Sequence, residues 1–228
     1  MPCRYSQLPS RQLPIWAFLL AGLVSAPTPA NAGPVIIRTY DVSGLSEGDR
    51  SAGFATATAI LQEAGLEISR LACDRAETTR HDGPCRLPLQ AHELSVRLVR
   101  LPEPDRSARQ VTLGYSLVET SARLGSLATV YVDRVSNLAA TSHIDLPTLV
   151  GRAIAHEIGH LLLGTSAHAD AGVMRATWSP DTIRHSTARD WRFTAGEAEM
   201  LRAAARRRHQ EHGTRHKAQI TQVERGRL

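Results

Sequence analysis

His156, Glu157 and His160 stand in the order H-E-x-x-H inside an apolar stretch. On a helix, positions i and i+4 share a face, so the two imidazoles can reach one ion. Zinc accepts nitrogen ligands of this kind, and a catalytic zinc uses three protein ligands and leaves a fourth position open. Glu157, one residue past the first histidine, is placed to take a proton from water activated at the metal, while the metal polarises a carbonyl. Gly164, a third histidine, His168, and then Met174 follow at close range. Such a set can hydrolyse a peptide bond. A bare H-E-x-x-H also arises by chance in helices whose histidines are merely solvated. Here the motif lies in a strongly apolar helix, where two unpaired histidines carry a desolvation cost, so the metal site is the stronger reading. For His168 alone, an ordinary loop histidine stays an alternative.

The stretch resembles the metzincin clan of zinc metalloproteases, whose signature is H-E-x-x-H-x-x-G-x-x-H followed by a methionine turn. In this chain the glycine and third histidine are spaced x3-G-x3-H, two residues longer in total. His156, Glu157 and His160 match the signature directly. The resemblance implies that Gly164 ends the helix with a left-handed residue and turns the chain back toward the metal. It implies that His168 is the third ligand. It also implies that Gly172-Val173-Met174-Arg175 is the methionine turn beneath the site, Met174 itself being no ligand. The fold implied is a compact, zincin-like α+β domain with a mixed twisted sheet, an active-site helix and a C-terminal helix. The edge strand before the active-site helix would bind the substrate backbone antiparallel. The implied activity is that of a secreted or periplasmic zinc-dependent metallopeptidase, an endopeptidase acting on protein or peptide substrates. Two rivals remain. A gluzincin-type enzyme would take Glu197 or Glu199 as the third ligand. A non-catalytic zinc-binding domain would have no need of an acid at position 157.

The elements that must position these residues follow from patterning. Residues 1–32 have the form of a secretory signal: Arg4 and Arg11, an apolar run from Leu13 to Ala26, then Ala30-Asn31-Ala32 as a cleavage site. The apolar run is shorter than the roughly 20 residues a spanning helix needs, so no stable membrane anchor is expected after cleavage. Residues 33–208 are long enough for one catalytic domain with its own core. The leader holds two basic residues. From position 205 onward seven basic residues face two acids, which leaves the domain between near neutral. Residues 209–228 therefore read as a basic, disordered tail, and no nucleic-acid partner is inferred from it. Cys73 and Cys85 read as one disulfide closing a small polar loop, given an oxidising compartment.

Strands are expected at Val35–Tyr40, Leu66–Leu71, Glu93–Leu101, Val111–Val118 and Leu127–Val135, with Pro102 and Pro104 ending the third. Ser46–Asp49 reads as a turn, and Ser51–Gly65 as a helix with Phe54, Ala57, Ile60, Leu61 and Ala64 at helical spacing. Asp145 caps the active-site helix, with Pro147 tolerated in its first turn. Thr194-Ala195-Gly196-Glu197 has the form of a capping box opening a last helix to about Arg208. His81, His92, His143 and His185 read as isolated, and His209, His212 and His216 as part of a solvated end.

Overall fold

A computed structural model of the protein describes residues 33–73, 77, 83–101 and 112–225, and of 215–225 the helical backbone only. The leader over 1–32, Pro102, Pro104, Val111 and most of the loop between Cys73 and Cys85 lie outside the described residues.

Strands β1 (Val35–Asp41), β2 (Ile68–Ala72), β3 (Glu93–Val99), β4 (Gly114–Glu119) and β5 (Leu124–Tyr131) form one mixed sheet, ordered β2-β1-β3-β5-β4. β1 runs parallel to β2 and β3, and β3 parallel to β5; β4 is antiparallel to β5 and forms an edge. The helices are α1 (Glu47–Glu63), α2 (Val132–Ser142), α3 (Leu146–Leu163), α4 (Pro180–His185) and α5 (Ala195–Arg225). The domain is α+β, as expected, with the H-E-x-x-H motif on α3 and a helix at the C-terminal end.

Alternation along the strands builds the core. Val35 and Ile37 of β1, Leu94, Val96 and Leu98 of β3, and Ala128 and Val130 of β5 are buried in one cluster with Phe54 and Leu61 of α1. α3 is the centre of that cluster: every residue from Leu149 to Leu162 is buried. Each large aliphatic side chain sealed there contributes about 1.5–3 kcal/mol. On the other face of the sheet, Arg38 pairs with Glu93 and donates to the Leu87 carbonyl at 2.7 Å. That contact holds the Pro84–Arg86 turn, and with it the Cys73–Cys85 disulfide, against β1. No helix among the described residues is long and apolar enough to cross a membrane.

Three expectations change. Ser46–Asp49 is the first turn of α1, because the Ser46 hydroxyl accepts from the Asp49 amide at 3.0 Å and starts the helix. The strand drawn to Val135 ends at Tyr131, and α2 follows at once. Val132, Val135, Ala139 and Ser142 are its buried residues, a helical spacing that the alternation of the preceding strand conceals. Residues 209–225, expected to be a disordered tail, continue α5. Its Ala, Arg, Glu and Gln content favours helix. Its start is also anchored: Arg208 is buried and donates to the carbonyls of Ala91, Gly125 and Leu161. His92 is correspondingly not isolated, its ring lying 4.9 Å from that of His209 and 4.3 Å from that of His212.

α3 can approach α1 closely because Gly151 has no side chain. A Cβ there would lie 2.5 Å from both the Gly53 carbonyl oxygen and Thr56 Cβ. Gly151→Ala is therefore expected to force the helices apart and destabilise the protein by about 1–3 kcal/mol, measured by urea unfolding. An unchanged midpoint would contradict this account of the packing.

Candidate metal centre

Two caps set the ends of α3. The Asp145 carboxylate accepts from the Thr148 amide at 2.9 Å. Gly164 takes the left-handed conformation (φ +64°) and ends the helix; a Cβ at this position would lie 2.6 Å from the Arg123 backbone. The chain then reverses, and Thr165–His168 returns over the last turn of α3. A second left-handed glycine, Gly172 (φ +76°), opens the turn carrying Val173 and Met174. Its missing side chain lets the Arg192 carbonyl come within 2.5 Å of where a Cβ would be.

These two turns orient the histidines. His156 Nδ1 donates to the Val173 carbonyl at 2.8 Å, and His160 Nδ1 donates to the Thr165 carbonyl at 2.8 Å. With Nδ1 carrying the proton, each Nε2 presents a lone pair, the form a metal requires. His160 Nε2 lies 3.0 Å from His156 Nε2 and 3.3 Å from His168 Nε2. Nitrogens bound to one tetrahedral zinc at 2.0–2.1 Å would be about 3.3 Å apart, so the spacing suits a single ion. His156, His160 and His168 are the only such group of metal-binding side chains among the described residues. Burial pushes the His156 imidazole down to about 4 and lowers that of His160 as well, so both stay neutral and ready to ligate near neutral pH.

Of the two extra residues in the x3-G-x3-H spacing, one extends α3 before Gly164 and the other lies in the turn after it, which brings the exposed His168 to the two buried histidines. Met174 is buried beneath them: a Cβ on Gly159 would meet its sulfur at 2.5 Å. The rival carboxylates stand elsewhere. Glu197 accepts from the Thr194 amide at 2.7 Å, closing the capping box at the start of α5, and Glu199 is exposed. Neither belongs to the histidine group.

Glu157 is buried beside the histidines, and the edge strand β4 holds its carboxyl group. The Ser116 hydroxyl lies 2.7 Å from Glu157 Oε2 and 2.8 Å from the Glu157 carbonyl oxygen. Gly114 makes room for the other oxygen, since a Cβ there would lie 2.7 Å from Oε1. Burial pushes the Glu157 carboxyl up to about 7, against the opposing hydrogen bond from Ser116. No local pattern marks Ser116 or Gly114 in the sequence; both are ordinary strand residues until β4 is laid over α3. Histidines, Glu157 and β4 open on one cleft of about 1100 Å³, which also contains Arg134, Leu138 and Trp178. The Trp178 ring stands edge-on to His156, with centroids 5.6 Å apart.

The raised Glu157 value has a stability consequence in the metal-free protein. The folded chain holds this proton more tightly than the unfolded one, so the contribution is fully present below the ordinary value of 4.5 and is lost as pH rises through about 7. Glu157→Gln is expected to be more stable than the parent at about pH 8, by on the order of 2–3 kcal/mol, and equal to it at about pH 4. Urea unfolding with a chelator present measures this. Equal stability at the higher pH would contradict it.

No protein-family model matches the chain, and no curated protein matches it. Among solved structures it is similar to archaemetzincin from Methanopyrus kandleri, with a TM-score of 0.47 and 14% identity over 77% of this chain and 97% of that one. It is also similar to metalloproteinase-II from Bacteroides fragilis, with a TM-score of 0.44 and 13% identity over 78% of this chain and 55% of that one.

Proposed function

We propose that this protein is a zinc-dependent metallopeptidase, secreted or periplasmic, that cleaves peptide bonds within protein or peptide substrates. The observation that supports this most is the placing of a buried carboxyl, Glu157, beside three converging imidazoles at the floor of an open cleft. A domain that used zinc for stability alone would have no need of that carboxyl. The Cys73–Cys85 disulfide suits an oxidising compartment.

His156, His160 and His168 would hold the ion. Bound there, zinc would supply a Lewis acid that polarises the scissile carbonyl and acidifies water. The chain's own residues do the rest. Among the described residues β4 pairs with β5 on one side only, and its other edge can accept an extended substrate strand. Glu157 takes a proton from the attacking water as the new C–O bond forms. It returns that proton to the amine as the C–N bond breaks, so the carboxylate is regenerated. Ser116 fixes one carboxylate oxygen, which leaves the other to carry the proton.

Glu157→Ala is expected to retain zinc and lose peptide hydrolysis by about 100- to 10,000-fold, read by metal analysis and peptide cleavage side by side. Cleavage that survives the substitution would sink the mechanism. Ser116→Ala is expected to lower kcat about tenfold with KM unchanged, and Ser116→Thr to restore it. A change confined to KM would instead make Ser116 a substrate contact.

A further inference from the structure

We propose that the cleft selects peptides bearing a carboxylate, and that Arg134 is the group that recognises it. This inference rests on the peptidase reading and names the substrate class for the same site. Arg134 lies on the first turn of α2 and lines the cleft with Gly114 and Ser116, the strand residues that hold Glu157. Its guanidinium is held on two sides. Nη1 donates to the Thr112 carbonyl at 2.7 Å, and Cζ lies 4.6 Å from the centroid of the Tyr131 ring. Thr112 stands two residues before Gly114, so the charge is fixed next to the edge that a substrate strand would occupy. No carboxylate among the described residues pairs with Arg134, and none of those residues accepts from Nη2. Nε is buried without a partner.

The rest of the lining agrees in sign. Among the described residues Glu157 is the only acidic one on the cleft, and a second guanidinium, that of Arg175, lies on it as well. Arg175 is already engaged with the carbonyls of Gly172 and Asp190, both at 3.0 Å, which leaves Arg134 as the open donor. A fixed guanidinium with unused N–H groups is matched best by a carboxylate, which accepts two parallel hydrogen bonds and neutralises the charge. An excess of positive charge on a cleft also raises the local concentration of oppositely charged ligand. Two parts of a peptide offer this chemistry: an Asp or Glu side chain, and the terminal carboxylate.

The test uses the zinc-loaded Glu157→Ala protein and peptides that it cannot turn over. One set, acetylated and amidated, carries a single Glu scanned along a Gln-containing sequence. A second set carries Gln throughout and a free C-terminus. Binding is followed by calorimetry. At least one carboxylate-bearing peptide is expected to bind about tenfold or more tightly than its neutral counterpart, with the difference shrinking in salt. A preference within the first set assigns the side chain; a preference confined to the second assigns the terminus. Adding Arg134→Glu is expected to abolish the preference and favour a Lys-containing peptide. Equal or undetectable binding of charged and neutral peptides by the Glu157→Ala protein overturns the proposal, whether or not the Arg134→Glu variant folds. The peptidase reading fails separately, if the parent cleaves none of the peptides that the Glu157→Ala protein binds.

Discussion

Two backbone carbonyls hold the centre together. Val173 and Thr165 each accept the Nδ1 proton of one buried histidine, and that single choice of tautomer turns both Nε2 lone pairs toward a common point. Each carbonyl belongs to the residue that follows a left-handed glycine, Gly172 in one turn and Gly164 in the other. A side chain at either glycine would run into backbone. The ligand geometry is therefore set by turns outside the helix that carries the ligands. It does not depend on the freedom of two exposed side chains.

The same constraint explains why α3 is so deeply buried. A helix that swung by an ångström would break both hydrogen bonds, and three close approaches resist such a movement. Gly151 lets α1 press against its first half, Gly159 lets Met174 press against its second, and Gly125 lets β5 lie on Leu161. Arg208 ties α5 to the Leu161 carbonyl. Burial also carries an electrostatic cost, visible in the lowered imidazoles and the raised carboxyl of Glu157. A metal ion would reverse that cost, since it favours neutral imidazole and an ionised carboxylate together. The site is costly when empty and well matched when filled, a common property of functional centres.

The residues most legible in the sequence were those whose role is local. His156, Glu157 and His160 are separated by helical spacing. Asp145 and the Thr194–Glu197 box lie within one turn of the helices they cap, and Gly164 ends its own helix. Their physics is complete within a short window. What stayed hidden is contact between distant segments. Ser116 meets Glu157 across 41 positions, and no local pattern marks it. α2 is concealed because the alternation that marks β5 runs straight into Val132 and Val135, with no turn residue between the strand and the helix. Residues 209–225 read as a solvated end because charge count alone does not show that Arg208 is buried, where its guanidinium anchors the helix that they continue.

The most direct test is the zinc content of the purified protein beside that of a His168→Ala variant, with folding of both followed by circular dichroism. The account predicts about one tightly held zinc per parent chain, and its loss from a variant that remains folded. A folded parent without zinc, or a variant that keeps it as tightly as the parent, would contradict the three-histidine centre.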